Sequence, residues 1–144
     1  MVAKNQIPMK EIYALLEGNR LSRTPCRIEI LKALRQADSA LSEPEIREKI
    51  GEHFDRTTVY RSLRSFLKLD VIHSIALDGG ELRYALSPEK ELADSSHHVH
   101  FFCNDCSGVF CISHQAFETP VLPDGFEATN FDLLVHGRCK NCKG

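Results

Sequence analysis

No stretch of this chain approaches the roughly 18 consecutive apolar residues that a membrane span needs. Its opening, Met1-Val-Ala-Lys-Asn-Gln-Ile-Pro8, lacks the apolar stretch of a signal peptide. These absences predict a cytoplasmic protein with no membrane association. No internal repeat or low-complexity segment interrupts the chain, which leaves packed domains. The His-Glu-x-x-His motif is missing, and with it the usual sign of a zinc hydrolase. There is also no overall excess of positive charge, the net charge being −2.

The distribution of charge says more than its sum. Residues 1–70 carry 13 Lys+Arg against 10 Asp+Glu, and residues 71–144 carry 5 against 10. The basic charge lies in the first half, where a nucleic-acid footprint would fall. With 144 residues, 42% of them hydrophobic, the chain suits one globular unit or two very small domains. Five of the six cysteines fall in the last 42 residues. Without a secretion signal, that clustering points to metal ligation rather than disulfides.

The first half reads as helices followed by a hairpin. A short helix is expected over 9–17. A second runs over 25–38, with Thr24 as its N-cap, Pro25 in its first turn and Ile28, Leu31 and Leu34 as its apolar stripe. Ser42 and Glu45 form a capping box that starts a third helix at about Glu43, and Gly51 stops it. Asp55 opens a fourth, reaching about Leu69. Two strand-like runs, Val71–Leu77 and Glu81–Leu86, are joined by Asp78-Gly79-Gly80. Helices followed by such a hairpin are the order of a winged helix. The polar stretch 87–96 reads as a linker. Strands are expected at 98–103, 109–113 and 131–136, with a short helix over 115–118.

On the fourth helix, Val59, Leu63, Phe66 and Leu67 share one face. Thr57, Arg61, Arg64 and Lys68 share the opposite face, flanked by Tyr60. A stripe of this kind on the last helix of a helix-turn-helix can enter a major groove. Arg61 can pair with guanine or hold phosphate, and Tyr60 can pack on a thymine methyl. A merely solvated face would look the same in isolation. The capped helix before it and the hairpin after it favour the groove reading.

Cys103-Asn-Asp-Cys106-Ser-Gly108 and Cys139-Lys-Asn-Cys142-Lys-Gly144 repeat the pattern C-x-x-C-x-G. Two intervening residues let both thiolates of a pair meet one tetrahedral zinc, and the glycine is expected to allow the tight turn. Four protein ligands leave no open position, so this zinc is structural rather than catalytic. Just before the first pair stands His97-His-Val-His100. On a strand, His98 and His100 share a face and His97 points away. Cys111 and His114 follow nearby, a density of donors that suits a second metal.

Taken together these motifs resemble the Fur family of ferric, zinc and peroxide regulators. Thr24-Pro-Cys-Arg27 is similar to its T-x-x-R, and Arg56-Thr-Thr-Val-Tyr-Arg61 to the T-V-Y-R of its recognition helix. Gly79-Gly80 matches the wing turn, and His97-His-Val-His-Phe-Phe-Cys-Asn-Asp-Cys106 its H-H-x-H-x-x-C-x-x-C. Gly125-Phe126, Gly137-Arg-Cys139 and Cys142 match its C-terminal landmarks. The resemblance covers about residues 10–143. It implies a homodimer, a metal corepressor and a palindromic double-stranded DNA operator; with no His-Glu-x-x-His motif in the chain, no enzyme activity is expected. Thr58, Arg23 and Arg27 join the DNA-contact candidates.

The departures are informative. Where the family's regulatory site uses a histidine, an acid, an H-x-H pair and a glutamate, this chain has Ala40, Ala85, His98 with His100, and Cys111. A second family site maps onto His97, Val99, Glu118 and Phe131, of which only His97 and Glu118 can ligate. His73, Glu91, Asp94, His114 and His136 remain as further donors. Thiolate in place of carboxylate favours zinc over iron as the regulatory metal. It also opens a rival role for Cys111 in peroxide or redox sensing, beside a regulator with structural zinc alone. The expected fold class is α+β. A winged helix-turn-helix DNA-binding domain (1–86) and a linker (87–96) precede a small α/β dimerisation and metal-binding domain (97–144).

Overall fold

The computed structural model describes residues 9–87, 97–112, 120–129 and 131–143, with 97, 98 and 131 described by backbone alone. All of the expected linker except Ser87, and the helix expected over 115–118, lie outside the described residues. The chain divides into two compact units, Met1–Ser87 and Pro88–Gly144.

The first unit contains α1 (Met9–Gly18), α2 (Pro25–Gln36), α3 (Glu43–Ile50) and α4 (Arg56–Lys68), then an antiparallel hairpin of β1 (Ile72–Ala76) and β2 (Leu82–Leu86). Local chemistry sets the boundaries. Thr24 caps α2 by accepting from the Arg27 N–H, with Pro25 in the first turn. α2 stops two residues short of the expected end because Ala37 turns to extended backbone. Ser42 and Glu45 cap α3 reciprocally, and Gly51 ends it at φ 88°, a left-handed angle that glycine tolerates. Gly79 and Gly80, also at φ 88°, let Leu77 donate its N–H to the Glu81 carbonyl at 2.8 Å and close the hairpin.

One core binds these elements. Leu16, Ile30, Leu31, Ile46, Val59, Leu63, Phe66 and Ile72 are essentially solvent-free, and Ile12, Leu34, Val71 and Tyr84 are among the other members of the cluster. Leu41 and Tyr84 exchange backbone hydrogen bonds of 2.9 and 2.7 Å, so a single residue before α3 adds a third rung to the wing. A lone bridge has no sequence period, and pattern reading misses it.

In the second unit, β3 (His97–Cys103) is the central strand. It runs antiparallel to β4 (Val109–Ile112) and parallel to β5 (Phe131–Gly137), and a four-residue helix α5 (Lys140–Lys143) follows. Val99 and Val109 are buried, as are Cys103 and Cys139. Leu133 and Val135 on β5 are exposed. Among the described residues no helix is long and apolar enough to cross a membrane.

Candidate functional site

The outward face of α4 has the composition its sequence promised. Asp55 starts the helix by accepting the Thr58 N–H at 2.8 Å. Val59, Leu63 and Phe66 anchor the inner face, with Leu67 half-buried. That anchorage leaves Thr57, Thr58, Tyr60, Arg61, Arg64 and Lys68 all exposed. Arg64 lies 5.8 Å above the Tyr60 ring and donates to its hydroxyl at 3.3 Å, so these two side chains order each other. Arg23 and Arg27 are held from within the unit. Arg23 pairs with Glu17 and lies 4.2 Å over the Tyr13 ring. Arg27 donates to the Ser22 carbonyl at 3.1 Å and to the Ser22 hydroxyl at 2.7 Å.

The structure adds an ionic frame that residue patterns do not disclose. Arg83 on β2, its side chain only 12% exposed, pairs with Glu45 of α3 at 3.3 Å and with Glu81 at 2.9 Å. Glu45 is also the capping-box residue, accepting from the Ser42 N–H and hydroxyl. One carboxylate therefore ties the wing to the start of α3. Glu43 faces two guanidinium groups, Arg47 on α3 and Arg56 at the start of α4, each at 3.7 Å.

In the second unit the four knuckle cysteines converge, their Sγ atoms all within 4.8 Å of one another. β3 delivers Cys103, and the turn after it delivers Cys106. Asn104 donates its N–H to the Gly137 carbonyl at 2.8 Å, joining that turn to the end of β5. Cys139 donates its N–H to the Cys103 sulfur at 3.4 Å, and α5 presents Cys142. Arg138 and Asp105 pair across the two knuckles at 2.8 Å. The expected role of the knuckle glycine needs correction. Ser107, not Gly108, takes the left-handed angle, at φ 60°. Gly108 is there for space, because a Cβ would lie 3.0 Å from the Phe110 ring and 3.3 Å from the Cys106 sulfur.

The donor chemistry fits a dication. N–H groups of Cys106 and Cys139 lower the Cys103 thiol to about 6. Cys142 is pushed up to about 12 by its hydrogen bond to Cys139 and by desolvation. Cys106 is also raised: the Gly108 N–H pulls it down, but its bonds to Cys103 and Cys139 together with desolvation outweigh that pull. Four sulfurs this close cannot all ionise without a compensating charge. A tetrahedral zinc would supply it, closed to substrate.

Of the second donor group, His100 and Cys111 sit directly opposite each other across β3 and β4, so they share a sheet face. His100 is buried and Cys111 exposed. Desolvation nevertheless raises the Cys111 thiol, the reverse of what a peroxide-reactive cysteine needs. His97 and His98 occupy the start of β3, and their side chains lie outside the described residues, as do Glu91, Asp94, His114 and Glu118. Ala40 is buried, and Ala85 lies opposite His73 in the wing. The His136 ring tilts against Phe102 at 5.5 Å.

Comparison with known proteins agrees with this geometry. The model of the ferric uptake regulator family matches residues 18–141. The ferric uptake regulation protein of Pseudomonas aeruginosa is 30% identical over 139 residues, covering 88% of this chain and 99% of that protein. The zinc uptake regulation protein of Mycobacterium tuberculosis is 25% identical, covering 88% and 96%. The crystal structure of the Vibrio cholerae ferric uptake regulator superposes with a TM-score of 0.59 at 26% identity, over 86% of this chain and 96% of that one. A zinc uptake regulator complexed with zinc and DNA shares the fold at a TM-score of 0.68 and 19% identity, over 96% and 97%. With a winged helix in one unit and a four-cysteine cluster in the other, the chain belongs to the ferric uptake regulator family of metal-responsive, DNA-binding transcription regulators.

Proposed function

We propose that this regulator is a cytoplasmic homodimeric repressor whose hold on a palindromic operator depends on zinc. The exposed Thr57, Arg61, Arg64 and Lys68 stripe on α4 carries the DNA part of the reading. Arg61 reads a base and Lys68 holds phosphate. Thr57, Thr58, Tyr60 and Arg64 line the same contact, and Arg23 and Arg27 support it from around α2. In this reading residues 1–86 bind DNA, 87–96 form a hinge, and 97–144 dimerise and hold metal. The apolar Leu133 and Val135 on edge strand β5 support pairing with a second copy.

Cys103, Cys106, Cys139 and Cys142 hold the structural zinc. A regulatory zinc is assigned to His100 and Cys111, with His98 from the same strand; His97 and Glu118 are weaker candidates. Two imidazoles and a thiolate are softer than the nitrogen and carboxylate set that suits iron. Fixing the angle between two DNA-binding units matters because their reading helices have to meet half-sites about 34 Å apart. A coupling of about 1–3 kcal/mol is enough for a switch.

The test is a zinc titration of binding to an operator selected from a randomised duplex pool. Two zinc ions per chain are expected, with Cys111→Ser losing the second together with zinc-dependent binding. Arg61→Ala should lose about 1–3 kcal/mol of sequence discrimination. A chain that binds one zinc, and whose operator affinity ignores added zinc, would overturn zinc sensing and leave a structural zinc alone. Because the Cys111 residue is exposed, peroxide is the rival signal. Operator binding that peroxide abolishes and zinc leaves unchanged would assign Cys111 a redox role.

A further inference from the structure

We infer that Arg56 is a DNA-phosphate contact held in reserve by Glu43, which trades the carboxylate for phosphate when the duplex docks. The inference rests on the DNA-binding reading of α4 and goes beyond it, because Arg56 lies outside the stripe assigned to base reading.

Position comes first. Arg56 is the first residue of α4, next to the Asp55 cap and one turn before Tyr60. A reading helix enters the major groove by its N-terminal residues, and helix N-termini are among the groups that contact the backbone phosphates. Arg56 is 77% exposed, so its guanidinium can swing. Arg47 lies on α3, the helix that crosses the backbone in this motif. Glu43 stands between these two cations.

The ionic geometry is that of a loose hold. Both guanidinium groups address the same Glu43 oxygen, each at 3.7 Å, beyond hydrogen-bonding distance. That oxygen and the Arg47 Nε are cut off from solvent, and neither has a hydrogen bond. A polar atom buried without a partner costs free energy, so the present arrangement of two cations on one oxygen is not the best available to these three groups. If Arg56 leaves for a phosphate, Glu43 and Arg47 are free to close into a proper pair. Docking then swaps a loosely paired three-body cluster for two separate pairs. Until then Glu43 masks a cation that would otherwise add to sequence-independent affinity.

Phosphate contacts carry no sequence information and are read by the salt dependence of binding. The experiment measures affinity of zinc-loaded protein for a scrambled-sequence duplex across a salt series, for the parent, Arg56→Gln, Glu43→Gln and the double variant. Thermal midpoints serve as a check on folding. Arg56→Gln is expected to weaken binding and to flatten the log K against log salt slope by about 0.9, one phosphate contact. Glu43→Gln is expected to tighten binding several-fold, and most of that gain should vanish in the Arg56→Gln background. An Arg56→Gln slope equal to the parent's would overturn the inference. So would a Glu43→Gln gain that is the same with and without Arg56, since Glu43 would then be acting as plain negative charge. A parent that binds no duplex at all would overturn the DNA-binding reading itself, a result distinguishable from both.

Discussion

The two units are stabilised by different means. The first has its own apolar core: sixteen buried residues form one cluster, all of them between Ile12 and Tyr84. In the second, the buried hydrophobic positions among the described residues are Val99, Cys103, Val109 and Cys139, two of them cysteines of the sulfur cluster. Five of its large apolar side chains, Val121, Leu122, Phe126, Leu133 and Val135, lie at the surface, and Phe101, Phe102, Phe110 and Leu134 are only half-buried. A small unit with so little buried carbon among its described residues needs another source of stability, and metal and a partner chain are the usual ones. One half of the molecule is therefore expected to fold by burial, the other by ligation and association.

Removing a metal ligand should separate the two most sharply. Cys106→Ser, or chelation of the wild type, should strip the zinc and unfold or monomerise the second unit. Structural zinc supplies on the order of 10 kcal/mol in small domains. The first unit should keep its helical signal and melt in a separate transition. A Cys106→Ser chain that stays dimeric, with its zinc content and thermal midpoint unchanged, would sink the staple assignment.

The converse substitution lies in the core of the first unit. Phe66 is fully buried on α4, and Phe66→Ala should cost about 3–5 kcal/mol. Only the helical transition should move, while zinc content and dimerisation persist. If both transitions fall together, the units are one cooperative body and the contrast drawn here fails.

The same contrast explains what the sequence revealed. Periodicity and capping chemistry are local, so Thr24, the Ser42–Glu45 box, Asp55 and the α4 stripe could all be read directly. The C-x-x-C pairs were legible because metal geometry fixes short spacings. Contacts between distant residues were not. The Leu41–Tyr84 bridge, the Glu43–Arg56 pair and the Arg83–Glu45 clamp each join segments that no periodic rule connects. Even the knuckle misled at one point, because the motif shows that glycine is present but not whether angle or space demands it. For the proposed second metal site the sequence offered candidate donors, and the sheet register adds that His100 faces Cys111.

A smaller effect is expected at the wing. Arg83 is nearly enclosed between Glu45 and Glu81. Arg83→Met keeps the aliphatic stem and removes the charge, so the cost should be about 1–2 kcal/mol, less than for a fully buried pair because both carboxylates reach solvent. The loss should appear as faster hydrogen exchange in β1 and β2 before it appears in α2. Equal protection loss in all elements would mean that Arg83 stabilises the unit as a whole rather than pinning the wing.

The smallest effect concerns pH at the start of α4. The Thr58 hydroxyl, and then the Thr58 N–H that the Asp55 carboxylate accepts, lower its pKa below the ordinary 3.8. A carboxyl group whose pKa is depressed by folding stabilises the native state only while ionised. Its contribution is complete above the unfolded value and disappears as the pH falls through the lower folded value. The α4 cap should therefore weaken only in acid, below about pH 4. Asp55→Asn retains an oxygen acceptor for the same N–H but does not titrate. Its stability should run nearly parallel to the wild type at neutral pH, and the gap between them should narrow as the pH drops through that window. Denaturant melts of the first-unit transition at a series of pH values would show it. A gap that is constant with pH would mean that Asp55 acts on α4 through shape alone and that its charge adds nothing to the helix proposed to read DNA.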